Sequence, residues 1–348
     1  MLTETLLLIL GLVLLAGGAD FFVRSSSKIA KKLGISDFII GLTLVAIGTS
    51  IPELANSITS SIKGSSQLIV GNLVGSSILN LSIIIGIAAI FKTIRTSEKM
   101  LTRDGYIMFA ISALLFIFAF NGTISSVEGL FLLLIYFAYV LFLIQTKNER
   151  NQKMPFEEFI IYFFRFRYVS TIRSRAVIFF SKKKPKTAEQ KKVTKLFAES
   201  LLKDFFVVIL GIAAVIIGAH YAITESLFLA RALGISERFL GFTILSIGTT
   251  LPELSVAIAA SRNGLNKIVV GNAIGTNIAN IGLIFGISAI IRPVFVSVPS
   301  ILFLIPGLLV ITALLLLIMK KYKNITRTQG IILFASYFVL LLLLFNQN

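Results

Sequence analysis

Two stretches of this chain are near copies of one another at a constant offset of 200 residues. The first reads GLTLVAIGTSIPELANSITSSIKG from Gly41 to Gly64, and the second GFTILSIGTTLPELSVAIAASRNG from Gly241 to Gly264. Downstream, GNLVGSSILNLSIIIG from Gly71 to Gly86 is matched by GNAIGTNIANIGLIFG from Gly271 to Gly286. The tripeptides Gly34–Ser36 and Gly234–Ser236 keep the same spacing. Self-similarity at a fixed offset over this length is the mark of a duplication, so the fold must be built from two related halves.

What each half is follows from its apolar content. Hydrophobic residues make up 56% of the 348, more than a soluble chain of this size can bury and an amount that lipid accepts. Runs such as 5–19, 104–120, 205–223, 301–319 and 329–345 approach the ~20 residues that cross a bilayer as helix. One half reads as spans 1–27, 37–62, 68–91, 104–121 and 126–145, and the other as 204–228, 239–262, 268–291, 299–319 and 328–345. The N-terminus lacks the basic leader of a signal peptide and is read as a retained first span. Five spans is an odd number, so the second copy must enter the membrane upside down relative to the first. The expected fold is all-α and integral to the membrane, with ten transmembrane helices as two inverted five-helix repeats. Residues 1–146 form the first repeat, 147–200 a basic loop and 201–348 the second repeat. In such inverted repeats the substrate site lies at the repeat interface near the midplane.

Charge orients the chain. Lys and Arg number 33 against 16 Asp and Glu, a net +17. In a soluble protein this would point to nucleic acid, but here the cations sit in loops between apolar spans and act as topology determinants. With the N-terminus outside, every cation except Lys63, Arg231, Arg238 and Arg292 falls on the inner side. Both termini are therefore expected outside and the central loop in the cytoplasm. The absence of cysteine and the presence of a single His, His220, exclude disulfides and make a thiolate or imidazole metal site untenable. No resident cofactor is expected.

Of the 16 acidic residues, Glu53 and Glu253 read as the two deep inside apolar spans. A charge at mid-membrane costs ~2.5–3.5 kcal/mol on insertion scales, and a bound cation is the natural compensation. Each Glu follows a proline. Pro52 and Pro252 carry no N–H and clash with the preceding turn, so Gly48–Ser50 and Gly248–Thr250 are expected to unwind and release carbonyl oxygens. Exposed backbone at membrane depth is tolerated only where protein or a wet cavity surrounds it. Carbonyls, hydroxyls and one carboxylate from each half make an all-oxygen cage. Ca²⁺ takes 6–8 such oxygens and Na⁺ is a hard ion of similar radius. The GNxxG segments at Gly71 and Gly271 read as small-residue packing faces. Asn80 and Asn280, one helical turn beyond Ser76 and Thr276, read as amides lining the site.

GTSIPELANS and GTTLPELSVA, each followed by GNxxGxxxxN, resemble the two α-repeats of the Na⁺/Ca²⁺ exchanger family, within the cation/Ca²⁺ exchanger superfamily, in its prokaryotic ten-helix form. The resemblance covers essentially the whole chain apart from the central loop. It implies Ca²⁺ ligation by Glu53 and Glu253 with the carbonyls of Thr49 and Thr249. It implies Na⁺ sites lined by Ala46, Ser50, Glu53, Ser76, Asn80, Ser246, Thr250, Glu253, Thr276 and Asn280. Two departures matter. The position of Asn280 is Asp in the best-known prokaryotic pattern, and K⁺-dependent relatives use an acid there. The Ca²⁺/H⁺ branch carries a His beside the repeat Glu, where this chain has Ser50-Ile51 and Thr250-Leu251. His220, paired with Asp20 across the duplication, reads as a packing residue or one making a local hydrogen bond, rather than a proton relay.

The expected function is K⁺-independent, electrogenic Na⁺/Ca²⁺ antiport by alternating access, extruding Ca²⁺ across the cell membrane. Spans 1 and 6 would slide as gates, and the chain would work as a monomer. Ca²⁺/H⁺ exchange is the alternative; a cation channel has no need of inverted copies around one cage, and no nucleophile–base constellation of an enzyme is visible. The segment Phe156–Phe180, aromatic and basic, is expected to lie along the anionic inner leaflet.

Overall fold

Once in lipid, an apolar run must satisfy every backbone N–H and C=O within its own segment, which makes helix the only economical form. The computed structural model describes residues 2–33, 36–145, 155–171, 188–232 and 250–345, and they are overwhelmingly helical. Span 1 is Leu2–Leu33. Span 2 is a bent pair, Asp37–Thr49 and Ile51–Lys63, turned by 47° at the break. Spans 3, 4 and 5 are Ser66–Phe91, Met100–Ala119 and Ser126–Gln145. Span 6 lies within the helix Ala188–Ala232. Of span 7 the second part, Leu251–Arg262, is described, and the stretch read as 239–249 lies outside the described residues. Spans 8, 9 and 10 are Asn266–Ile291, Ser300–Tyr322 and Arg327–Phe345. Among the described residues seven helices are each long and apolar enough to cross a bilayer, and the bent pair makes eight.

The duplication is visible in the backbone. π-helical turns interrupt span 3 at Asn80–Ile84 and span 8 at Ala279–Phe285, and open span 4 at Met100–Gly105 and span 9 at Ser300–Leu304. Four two-residue strands lie in the connections: β1 (Ile94–Arg95), β2 (Thr123–Ile124), β3 (Val294–Phe295) and β4 (Asn324–Ile325). β1 pairs antiparallel with β4 and β2 with β3, with Ile94 opposite Ile325 and Ile124 opposite Val294. Each miniature sheet therefore takes one strand from each half. The glycines repeat this exchange. A Cβ on Gly86 would lie 2.8 Å from the carbonyl of Gly330, and one on Gly129 would lie 2.9 Å from that of Gly286. Span 3 thus lies backbone to backbone on span 10, and span 8 on span 5, the reciprocal contacts of an approximate two-fold.

Spans 3 and 8 form the centre, with 78% of each apolar window buried, against 33% for span 1 and 22% for span 6. Spans 1 and 6 pack on one another at the periphery, where Gly18 approaches Ala214 and Gly211 approaches Phe22. Leu6, Ile9, Val13 and Phe21 of span 1 face outward, as do Phe206, Ile209 and Leu210 of span 6. That apolar exterior is what a bilayer covers.

The basic loop differs from the single surface helix expected over Phe156–Phe180. Pro155–Phe164 is helical, Phe166 turns the chain with φ 50°, and a short helical turn follows to Thr171. Residues 172–180 lie outside the described set. Phe159, Tyr162 and Phe163 are buried rather than laid on a surface. Phe159 sits edge-on to Tyr139 of span 5 at 6.1 Å between ring centres, Phe163 meets Phe131 at 5.7 Å, and Phe156 meets Tyr106 of span 4 at 6.1 Å. Aromatics at positions 156, 159 and 163 share one helix face, and a groove of rings on spans 4 and 5 receives them. The outward face keeps Ile160, Ile161 and Phe164.

Candidate ion site at the broken helices

Pro52 and Pro252 each sit in the first turn of a helix, where the missing N–H costs nothing. The disruption is consequently narrower than the three-residue unwinding expected from sequence. Thr49 is still helical, Ser50 alone leaves helical geometry (φ −83°, ψ 5°), and the helix resumes at Ile51. Thr250 adopts the same conformation (φ −95°, ψ 4°). The backbone stays hydrogen-bonded across the break, from Ser50 N to the Ala46 carbonyl at 3.1 Å and from Leu54 N to the Ser50 carbonyl at 3.0 Å. The Ala46 carbonyl also accepts from Thr49 Oγ1 at 3.3 Å. It is thus engaged rather than free.

The break places each glutamate in the first turn of a half-helix, where the N-terminal dipole favours negative charge. Glu53 is 1% exposed and Glu253 is fully buried. None of their four carboxylate oxygens has a hydrogen-bond partner among the described residues. The two glutamates occupy equivalent positions of the duplication, one on each half-helix. Two unpaired carboxylates in a water-poor interior repel one another strongly.

Around them the described residues supply neutral oxygens. Ser50, Ser76, Asn80, Thr250, Thr276 and Asn280 are all buried. The hydroxyls of Ser50 and Thr276, both polar atoms of the Asn80 amide and Oδ1 of Asn280 have no protein partner among the described residues. Asn280 Nδ2 donates to Ser76 Oγ at 3.0 Å, across from span 8 to span 3. Ser246 and Thr249 lie outside the described residues. The structure thus brings Ala46, Thr49, Ser50, Glu53, Ser76, Asn80, Thr250, Glu253, Thr276 and Asn280 onto spans 2, 3, 7 and 8, which pack on each other around the pseudo-dyad.

Two amides escaped the sequence reading. Asn272, taken there as part of a packing face, accepts from Thr49 Oγ1 at 3.4 Å. Asn277 donates its Nδ2 to the Ser77 carbonyl at 3.2 Å. The available signal was simply an amide in the middle of an apolar span, which must find a partner. Two further carboxylates, Glu225 and Asp104, are buried among the described residues and were also missed. Asp104, placed by sequence at a span end, is fully buried. The π-helical opening of span 4 carries it inward together with Arg103, which grips it through Nε at 2.9 Å and Nη2 at 3.1 Å, while Tyr139 OH donates to it at 2.7 Å. Asp104 is thus compensated by protein, whereas the carboxylates of Glu53 and Glu253 have no such partner among the described residues. Among the described residues no group of three or more His, Cys, Asp or Glu that could hold a metal ion is gathered.

Comparison with known proteins places the chain in a family. The family model described as sodium/calcium exchanger protein matches residues 3–145 and 203–346. The chain is 42% identical over 346 residues to sodium/calcium exchanger MaX1 of Methanosarcina acetivorans, covering 98% of each. It is 28% identical over 350 residues to putative antiporter CaxA of Alkalimonas amylolytica, covering both chains completely. Among solved structures, the sodium-calcium exchanger NCX_Mj soaked with Na⁺ and Sr²⁺ superposes with a TM-score of 0.77 at 27% identity, over 97% of each chain. The chain belongs to the sodium/calcium exchanger protein family.

Proposed function

We propose that this member of the family is an electrogenic, K⁺-independent Na⁺/Ca²⁺ antiporter that works by alternating access and extrudes Ca²⁺ on the inward Na⁺ gradient. The observation that carries the reading is the pair of buried, partnerless carboxylates of Glu53 and Glu253 at the start of two half-helices related by the duplication. In this reading Ca²⁺ is held by Glu53 and Glu253 with the carbonyls of Thr49 and Thr249. Na⁺ takes the same carboxylates with Ser50, Ser76, Asn80, Ser246, Thr250, Thr276 and Asn280, and the Ala46 carbonyl joins when Thr49 turns its hydroxyl away.

Coupling follows from charge. A cage of charge −2 cannot stand empty in a low dielectric and cannot hold Ca²⁺ and a full Na⁺ load together. It is neutral with one Ca²⁺ or with two Na⁺, so the electrogenic exchange proposed here requires at least a third Na⁺, taken by the unpartnered neutral hydroxyl and amide oxygens. With Asn at both 80 and 280 no third carboxylate is present to hold K⁺. The name of MaX1 supports Na⁺ as the counter-ion, and that of CaxA supports antiport.

Spans 1 and 6 are the moving pair in this reading: they pack mainly on each other, through faces bearing Gly18, Gly211 and Gly218, and carry none of the cage residues. Both termini face out and segment 147–200 faces the cytoplasm, where its cations meet anionic lipid of the inner leaflet. The outward apolar face of Pro155–Phe164 supports that contact. One chain contains both halves of the cage and acts as a monomer in the cell membrane.

Isotope flux into vesicles tests the reading. Accumulation of ⁴⁵Ca²⁺ driven by an outward Na⁺ gradient is expected. Uptake driven by a pH gradient alone would replace Na⁺ by H⁺, and uptake without any counter-ion gradient would indicate a channel.

A further inference from the structure

We propose that Asn277 is a positioning residue for the ion cage, tying span 8 to span 3 so that the Asn280 amide is fixed with its Oδ1 turned toward the ions. The inference rests on the exchanger reading above and adds to it a residue outside the ligand set.

Ser77 and Asn277 are counterparts at the 200-residue offset, and they touch each other. A contact between equivalent positions can occur only where the pseudo-dyad passes, so this pair marks the axis on which the two central spans cross. The halves differ there in residue type. Serine on one side is short, and asparagine on the other reaches across to the Ser77 carbonyl at 3.2 Å. Three residues on, along the same helix face, Asn280 donates Nδ2 to Ser76 Oγ at 3.0 Å and approaches Ser77 Oγ at 3.4 Å. Asn277 and Asn280 therefore hold the same turn of span 3, one by its backbone and the other by its hydroxyls.

The consequence lies in the chemistry of the amide. Its N–H donors and its carbonyl acceptor sit on opposite arms of one planar group. With Nδ2 committed to two hydroxyls, Oδ1 is the arm presented elsewhere, and only Oδ1 attracts a cation. Asn80 has neither arm committed among the described residues, and neither has the hydroxyl of Thr276, the counterpart of Ser76. The amides at these two equivalent positions therefore differ: Asn280 is held as an oxygen donor, and Asn80 has no such tie among the described residues. Ser77, Asn277 and Asn280 are each fully buried, so bulk water does not replace a lost contact. Without the Asn277 tie the central spans are released at the axis, and the Asn280 amide can present N–H to the ions, which opposes binding.

The test is ⁴⁵Ca²⁺ flux in vesicles, with half-saturation for Ca²⁺ and Na⁺ and the maximal rate read separately. Asn277→Ala is expected to raise both half-saturation values on the order of 10-fold, the scale seen when groups that orient metal ligands are removed, with the maximal rate little changed. Asn277→Gln, which keeps an amide donor, is expected to recover most of the loss. If the alanine variant does not fold, Asn277→Ser, whose hydroxyl is too short to cross the axis, is read in the same way. Unchanged half-saturation in these variants, or equal losses in the Ala and Gln variants, would overturn the inference while leaving the exchanger reading intact. Absence of Na⁺-driven uptake by the unsubstituted chain would overturn both.

Discussion

Asn263, the residue that ends the site-bearing helix Leu251–Arg262, donates its side-chain amide to Asp20 of span 1 at 2.7 Å. Arg24 holds the other oxygen of Asp20 at 2.8 Å. Span 1 of the peripheral pair is thus tied to the end of the helix that carries Glu253. The counterpart of Asp20 is His220, which is exposed with its ring 5.8 Å from Tyr221, and the counterpart of Asn263 is Lys63. The tie is built into one half and not the other.

If span 1 slides past span 7 during transport, this tie must break in every cycle. The chain has no cysteine of its own, so the pair can be replaced cleanly by Asp20→Cys and Asn263→Cys. Bridging them with a short thiol-specific crosslinker is expected to abolish ⁴⁵Ca²⁺ exchange, and cleavage of the bridge to restore it. Full activity of the bridged protein would show that spans 1 and 7 keep their relative position throughout transport.

Span 2 crosses span 8 at van der Waals limits. A Cβ on Gly271 would run into the Phe38 carbonyl, and one on Gly275 into that of Leu42. Backbone atoms have no rotamer to retreat into, so Gly271→Ala is expected to destabilise the protein by ~1–3 kcal/mol, the usual range for overpacking. Thermal unfolding in detergent is the measurement, with a lowered midpoint expected.

The contrast between partnered and partnerless carboxylates separates stability from binding. Asp104→Ala strands the buried Arg103 guanidinium without its carboxylate, a loss that costs ~3–5 kcal/mol in buried pairs. A lower unfolding midpoint is expected, together with unchanged half-saturation for Ca²⁺ and Na⁺ in the protein that remains folded. Altered ion affinity would bring Asp104 into the site.

The sequence announced the two halves and their inversion because the 200-residue offset and the odd span count are properties of the chain itself. Glu53 and Glu253 were legible for the same reason: an acid after Pro in an apolar run has few explanations. What stayed hidden depends on how the halves meet. The exchange of β1 with β4 and β2 with β3 involves strands of two residues, too short to show any alternation. The contact of Asn277 with Ser77 exists only because the dyad passes there. Asp104 looked like a span-end residue because a π-helical turn, which has no sequence period of its own, sets how far inward it sits. The break at Pro52 was overestimated because proline in the first turn of a helix fits without loss, so Ser50 alone absorbs the bend.

Equilibrium binding of ⁴⁵Ca²⁺ to the purified protein, titrated with Na⁺, measures the cage most directly. One Ca²⁺ per chain is expected, displaced competitively by Na⁺. Glu53→Gln or Glu253→Gln is expected to weaken it by at least ~2 kcal/mol, about 30-fold, as for the loss of one charge from a buried charge contact. Ca²⁺ binding that survives unchanged in both variants, or Na⁺ that binds without displacing Ca²⁺, would contradict a single shared site.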